Sequence, residues 1–229
     1  NFGQREIPAI TDKYKRCRAA VDSGVNLVVE LPLFYAVSSA EIFAAGAVAT
    51  LNALNASFIS FGCENADIQM LKKIAITLVN EPDEYKKHLK KALTCGDSFP
   101  TARAKALSEF FKSDDISRLI SSPNNILAIE YIKEIIKSES AVTPVALTRK
   151  ISGYHDSEIH ENIASASAIR KILHDSGIHK NNDSRCKNIK ELQNVMPKAM
   201  YNILASESQN NALIYADDFS SMLNYKISN

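Results

Sequence analysis

The stretch Ile163–Leu173, IASASAIRKIL, places small residues and one arginine where a helix is predicted to begin. Small side chains leave backbone N–H groups open to a ligand, and the first turn of a helix carries partial positive charge that attracts anions. Arg170, three residues after a predicted N-cap at Ser167, is unfavourable there unless an anion balances it. The stretch therefore indicates a phosphate site, although a capped helix with an exposed arginine explains it equally simply.

A second group of charged residues lies near the start of the chain. The segment KYKRCR holds four positive charges and a tyrosine within six residues. This pattern is typical of an RNA-backbone contact if the side chains face a groove, and equally of a solvated helix face. The RNA-binding candidates are Lys13, Lys15, Arg16 and Arg18.

Three further positions are candidates for nucleotide contacts. Gly62 follows a predicted strand, and a position without a side chain lets a purine or ribose lie against the backbone. Asn124 and Asn125 begin a predicted helix, where an amide either reads a base edge or caps the helix. His155 and His160 fit no zinc-binding spacing, so we predict no metal site built from protein ligands alone.

Composition limits the classes of protein that the chain can represent. The 229 residues are 45% hydrophobic and 23% charged, as in an ordinary globular protein, and a net charge of +1 excludes an overall polybasic nucleic-acid binder. The four cysteines form no CxxC pair, which favours a reducing compartment and predicts a cytoplasmic location. No apolar run approaches the ~18 residues of a membrane span, so no membrane partner is predicted.

Elements that position these residues alternate between helix and strand. A helix beginning at Thr11 or Asp12 and ending at Gly24 precedes a predicted buried strand, NLVVELP, at 26–32. A crossover helix from Ser38 and a strand at 56–62, ASFISFG, continue the pattern. This rhythm predicts an α/β fold with a Rossmann-like doubly wound parallel sheet.

The rest of the chain extends the same fold. We expect a helical insertion over 81–119, a helix from Pro123 to Ser138, and a strand, AVTPVALTR, whose far end delivers Arg149. The helix of the opening motif follows and ends near Gly177, then a polar linker, HKNNDSRCKN, and a partly helical region with a short strand, NALIYA, complete the chain. Ligands of open α/β sheets bind at such strand ends and helix starts.

Several of these segments occur together in one order. GVNLVVELPLFYAVSSAEIFAAGAV, FGCEN, SFPTARAKAL, SPNNILAIEY, ALTRKISGYHD and IASASAIRKIL together resemble the tRNA(Met) cytidine acetate ligase family. That family belongs to the HxGH nucleotidyltransferase-like superfamily. The resemblance covers residues 1 to about 175, so it implies a nucleotidyltransferase-like domain over 1–175 and a linker with the start of a helical RNA-contacting region over 176–229.

The resemblance implies a function for the candidate residues. The family uses ATP to activate acetate as acetyl-adenylate and forms N4-acetylcytidine at the wobble position of elongator tRNA(Met), with Mg²⁺ bridging the phosphates. By resemblance, Gly62, Asn124 with its neighbour Asn125, and Arg149 contact ATP, while Ser167 and Arg170 match a phosphate-binding motif. Arg149 and Arg170 are therefore the catalytic candidates.

The sequence departs from the family in one important respect. The HxGH motif does not occur in these 229 residues, so we expect them to be part of a longer protein, catalytically incomplete and weak in ATP binding when taken alone. Glu6, Ile7, Asn55 and Ala66 also stand where glycine or acidic residues are expected. Two alternatives stay open: a nucleotidyltransferase-like enzyme that adenylylates a small molecule, and an RNA-binding remnant that uses no nucleotide.

Overall fold

The computed structural model describes residues 8–149, 159–160, 163–178 and 189–228. These residues form two compact units, one of residues 31–150 and one of residues 1–30 with 151–229. The division follows a different line from the domain boundary predicted at 175/176, which stays a prediction. The GYHD segment and the predicted linker at 179–188 lie outside the described residues.

The described residues are mainly helical. The helices are α1 (Lys13–Asp22), α2 (Leu33–Ala36), α3 (Ala40–Ala53), α4 (Ile68–Asn80), α5 (Asp83–Thr94), α6 (Phe99–Phe111), α7 (Asp115–Ser121), α8 (Pro123–Lys137), α9 (Ala166–Ile178), α10 (Lys198–Gln209) and α11 (Ser220–Ser228). The strands are β1 (Phe58–Cys63), β2 (Thr143–Thr148), β3 (Ile159–His160) and β4 (Ile163–Ala164). Within the ranges described, no helix is both long and apolar enough to cross a membrane.

In the unit of residues 31–150, β1 and β2 form a parallel pair. Their register runs from Phe58 opposite Thr143 to Cys63 opposite Thr148, so both strands end at the same edge. Side chains of β1 alternate, and Ile59, Phe61 and Cys63 are buried in a core shared with the helices. The long crossover from β1 to β2 contains α4 to α8, and its buried residues include Leu71, Ile74, Leu107, Ile116, Ile129 and Ile132.

Helices α2 and α3 pack closely because position 46 is a glycine. A Cβ atom built on Gly46 would overlap the ring of Tyr35. The Tyr35 ring therefore occupies the space that a side chain at position 46 would need. Glycine here serves the packing of one helix on another and leaves no room for a ligand.

Two predicted strands do not form. Residues 26–32 have no strand conformation, and Leu27, Val28 and Val29 are exposed rather than buried. The NALIYA segment makes a backbone hydrogen bond to the start of the chain, from Ile214 N to Ile10 O at 2.9 Å, but it forms no ladder. The apolar side chains of both segments are compatible with a strand. A strand also needs a neighbouring segment whose backbone hydrogen-bonds to it, and the sequence pattern does not say whether one is present.

The unit of residues 1–30 and 151–229 has its own small core. Ile10, Leu173, Leu192 and Leu204 are buried together and bring the start of the chain against α9 and α10. Helix α1 packs on α10, and Asp12 caps α1 by accepting a hydrogen bond from Lys15 N at 2.9 Å. This unit thus assembles its core from segments that lie far apart in sequence.

Candidate functional site

The turn that follows β1 is held by one buried amide. Asn125 is 1% exposed, and its Oδ1 accepts hydrogen bonds from Glu64 N at 3.0 Å and Asn65 N at 3.2 Å. Its Nδ2 donates to Leu119 O at 2.9 Å. These bonds fix the backbone at the carboxyl end of β1, so Asn125 positions the turn from behind. The predicted ATP contact of Asn125 stays a prediction, and the bonds seen here use its amide to hold the turn.

Glu64 joins this turn to the start of α8. Its Oε1 accepts a hydrogen bond from Asn124 Nδ2 at 2.7 Å, and its Oε2 accepts one from Asn125 N at 3.2 Å. The carboxylate therefore fills the N-terminal end of α8, where negative charge is favoured. Asn124 is more accessible than Asn125 and remains the only one of the two amides that a ligand can reach.

Glu64 is a site residue that the sequence reasoning did not single out. The available signal was the pair of segments FGCEN and SPNN, each of which combines a turn with polar side chains at an element boundary. Their spacing of about 60 residues concealed the contact, because nothing in a single sequence reports a pairing over that separation.

Arg149 lies across from Gly62 at the same edge of the sheet. Its backbone N–H donates to Cys63 O at 3.0 Å, which continues the β1–β2 pairing by one residue. Its Cγ lies 3.4 Å from the position of a Cβ built on Gly62, so the arginine stem passes over the glycine. The residue is exposed, and no carboxylate in the described ranges forms an ion pair with it.

The chemistry of this edge suits an anion. Arg149 supplies a permanent positive charge with a planar fork of donors, and Gly62, which has no side chain, lets the arginine stem pack over β1. Burial raises the pKa of the Cys63 thiol, with a further increase from the Glu64 carboxylate, so this cysteine stays a neutral thiol behind the edge. Glu64 already accepts hydrogen bonds on both oxygens, so a Mg²⁺ ion would take its ligands mainly from phosphate and water.

The start of α9 differs from the sequence expectation. Ser165 Oγ accepts a hydrogen bond from Ala168 N at 3.0 Å, which makes Ser165 the N-cap and moves Ser167 into the first turn. Arg170 then lies in the second turn, and its Nη1 donates to Pro8 O at 3.0 Å. The predicted N-cap at Ser167 is therefore wrong, and Arg170 holds the start of the chain to α9.

The basic segment of α1 has most of its charge balanced within the chain. Lys13 Nζ lies 2.7 Å from Glu30 Oε2, Lys15 Nζ lies 2.6 Å from Glu207 Oε2, and Arg18 pairs with Asp22 at 3.4 Å. The Glu207 and Asp12 carboxylates raise the pKa of Lys15. Arg16 Nε donates to a backbone carbonyl, Asp12 O, at 3.4 Å. These ion pairs neither test nor exclude an RNA contact by this segment, so the contact stays a prediction.

The structure brings together only part of the predicted set. Gly62, Asn124, Asn125 and Arg149 share one edge of the unit of residues 31–150. Ser167 and Arg170 belong to the other unit, as do the basic residues of α1. The four residues at the sheet edge therefore form one local cluster within a single unit.

Known proteins resemble the whole chain. The model of the HIGH Nucleotidyl Transferase family matches residues 1–229. A tRNA(Met) cytidine acetate ligase of Clostridium novyi is 42% identical over 228 residues, which are 99% of this chain and 54% of the relative. The ligase of the same name from Clostridium perfringens strain SM101 is 44% identical over 217 residues and is covered to 51%. The chain thus spans about half the length of these relatives.

Solved structures agree with the sequence comparison. Thermotoga maritima TmcAL in an apo form superposes with a TM-score of 0.85 at 32% identity, over 96% of this chain and 51% of that one. A second form, bound with alpha-thio ATP, gives 0.82 at 31% identity over 96% and 49%. These matches confirm the resemblance drawn from the sequence motifs and the nucleotidyltransferase-like α/β fold.

Proposed function

Because the chain belongs to the HIGH nucleotidyl transferase family, we propose that the full-length protein is an ATP-dependent ligase that acetylates the wobble cytidine of elongator tRNA(Met). The relatives named above are called tRNA(Met) cytidine acetate ligases, and one structural neighbour is bound with alpha-thio ATP, which supports this proposal. The observation that carries the proposal is Arg149, exposed without a carboxylate partner among the described residues and lying across Gly62 at the carboxyl edge of the sheet.

In the proposed first step, acetate attacks ATP. A carboxylate oxygen of acetate forms a bond to the α-phosphorus, and the bond to the departing pyrophosphate breaks, which leaves acetyl-adenylate. Two anions must approach each other, so catalysis depends on neutralising charge and holding the groups in line. Arg149 is suited to this role, because a guanidinium fork binds phosphate oxygens at two points.

The neighbouring residues have supporting roles in this proposal. Gly62 is proposed as an ATP contact beside the Arg149 stem that packs over it, and Asn124 offers an amide at the start of α8. Asn125 and Glu64 keep that surface rigid through the bonds described above. Mg²⁺ would supply further charge neutralisation while held by the phosphates themselves.

Ser167 and Arg170 are proposed as a second phosphate contact on the strength of the ASASAIR resemblance. The bond from Arg170 to Pro8 O employs one guanidinium nitrogen, so the role of this arginine is at least partly structural.

In the second chemical step, N4 of cytidine attacks the acetyl carbonyl, AMP departs with the bonding electron pair, and N4 loses a proton. A cytoplasmic location, where tRNA is modified, completes the proposal.

Mass spectrometry of the wobble nucleoside tests the proposed function. Unmodified elongator tRNA(Met) is incubated with the full-length protein, ATP and acetate, and the nucleosides are analysed. We expect N4-acetylcytidine that appears only when ATP and acetate are both present. ATP cleavage without any change in the tRNA would favour adenylylation of a small molecule, and tRNA binding without ATP cleavage would favour the RNA-binding remnant.

A further inference from the structure

Helix α5 carries a second concentration of positive charge, which differs from that of α1. Its sequence, DEYKKHLKKALT, contains four lysines at two pairs of adjacent positions. All four are exposed, and none forms an ion pair with any residue in the part of the chain that the structure describes. The lysines are Lys86, Lys87, Lys90 and Lys91, and they are called the α5 lysine face below.

The helix directs this face away from the protein core. Tyr85 is 1% exposed and Ala92 is 8% exposed, and both lie on the side of α5 that packs against the protein. With 3.6 residues per turn, the four lysines lie between about 100° and 240° around the helix from Tyr85. They therefore lie on the side of α5 that is opposite to Tyr85 and Ala92.

The spacing of the four lysines has an energetic cost, of which Asp83 and Glu84 can offset only the part at Lys86 and Lys87. Lys86 and Lys90 are four residues apart, as are Lys87 and Lys91, and like charges at this spacing destabilise a helix. The helix dipole favours basic residues only in the last turn, which accounts for Lys91 but not for Lys86 or Lys87. The acidic residues of α5, Asp83 and Glu84, are confined to its first turn.

Several other basic residues of the same unit form ion pairs with carboxylates. Lys105 lies 2.7 Å from Asp97, Arg103 lies 2.9 Å from Glu130, and Lys133 lies 2.9 Å from Glu41. Lys72, Lys73 and Lys112 of this unit also have no carboxylate pair among the described residues, so what distinguishes the α5 lysine face is that four unpaired lysines lie together on one helix. Such a field of like charge is complementary to a polyanion.

We propose that the α5 lysine face contacts the phosphate backbone of the tRNA substrate. This inference rests on the proposed function, which supplies a polyanionic partner. Lysine ammonium groups bind phosphates as point charges, so the contact fixes the position of the RNA without reading its sequence. The face is therefore an RNA-positioning surface, separate from the nucleotide-binding edge at Gly62 and Arg149.

The salt dependence of tRNA binding tests this surface. In the full-length protein, Lys87→Gln with Lys91→Gln removes two charges, and each lost phosphate contact lowers the slope of log K against log salt by about 0.7 to 0.9. We expect the slope to fall by roughly 1.4 to 1.8, with ATP affinity and melting temperature unchanged. An unchanged slope would overturn the proposal.

A matched control separates the face from net charge. Arg118→Gln with Lys137→Gln removes the same charge from basic residues that pair with Asp115 and Glu41. We expect this variant to keep the original slope, and an equal fall in both variants would overturn the assignment to α5. Polyglutamate serves as a second probe, since loss of its binding with tRNA binding intact would point to an acidic protein partner instead. If the unaltered protein binds no tRNA at low salt, the proposed function itself fails.

Discussion

Two arginines at element boundaries are used by the molecule in opposite ways. Arg149 follows β2, is exposed, and pairs with no carboxylate among the described residues. Arg170 lies within α9, is half-buried, and donates to Pro8 O at 3.0 Å. Both had the same prediction from sequence, that of a phosphate ligand. The comparison shows that the type of a residue and its place on an element do not decide whether its charge is available to a ligand. The contacts that the side chain makes within the protein decide it.

The surroundings of the two arginines reinforce the contrast. Next to Arg149, the side chains of Asn125 and Glu64 each accept a hydrogen bond from the backbone N–H of the other residue, so the turn is rigid before any ligand arrives. Such preorganisation is what a binding site requires. Around Arg170, the hydrogen bond to Pro8 O ties the beginning of the chain to a helix, which is what assembly of a core requires.

The largest effect is expected at the amide that holds the turn. Asn125→Ala leaves Glu64 N, Asn65 N and Leu119 O without their partner, and each unsatisfied group costs about 1 to 3 kcal/mol when it stays buried. Since the turn is partly open to water, we expect a loss of about 2 to 4 kcal/mol in the free energy of unfolding. Urea denaturation measures it.

A matched control for this prediction is Asn124→Ala. That residue donates one hydrogen bond to Glu64 from a more exposed position, so its loss should cost less than about 1 kcal/mol. Equal destabilisation by the two substitutions would contradict the role assigned to Asn125.

A smaller loss of stability is expected at Arg170. Arg170→Ala removes the bond to Pro8 O and the packing of the arginine stem, so the ATP-free protein should lose about 1 to 2 kcal/mol of unfolding free energy. Urea denaturation of the variant and of the unaltered protein gives the comparison. If the variant is as stable as the parent, the arginine is held for a ligand rather than for the fold, and the contrast with Arg149 disappears.

The smallest effect concerns a charge that is balanced inside the chain. Lys133 and Lys137 lie 2.9 and 3.3 Å from Glu41, and chiefly the hydrogen bond from Lys133 lowers the pKa of Glu41 below its usual 4.5. A lowered carboxyl pKa stabilises the fold above the unfolded-state value and ceases to do so as pH falls through the folded-state value.

Glu41→Gln should therefore cost a few tenths of a kcal/mol at pH 7, because the carboxylate is half-exposed and screened. The difference from the parent should shrink as pH falls below 4.5. Thermal unfolding at pH 7 and at acid pH measures both values, and a difference that grows on acidification would contradict the sign of the shift.

Sequence patterns predicted the elements with strong periodicity. The strands β1 and β2 and the helix α8 lie close to where the apolar runs and the Ser-Pro start indicated. The stretch 26–32 has the same composition as a buried strand but is exposed, because strand formation depends on a backbone neighbour.

The site was predicted less completely, for a related reason. Gly62 is the second-last residue of β1 and Arg149 directly follows β2, so parallel pairing alone brings them to one edge. The bonds of Asn125 to Glu64 and of Arg170 to Pro8 span 61 and 162 residues, and local patterns carry no information about partners at that distance. What the sequence did not predict in both cases is the partner of the side chain, whereas its location on an element was predicted.

Calorimetric titration of ATP into the full-length protein and its Arg149 variants tests the central claim most directly. Arg149→Ala removes charge-assisted hydrogen bonds of about 1.5 to 3 kcal/mol, so ATP affinity should fall roughly 10- to 150-fold while the melting temperature stays unchanged. Arg149→Lys keeps the charge but not the fork and should fall between the two. An Arg149→Ala protein that binds ATP as tightly as the parent, or that loses binding only because it unfolds, would contradict the account.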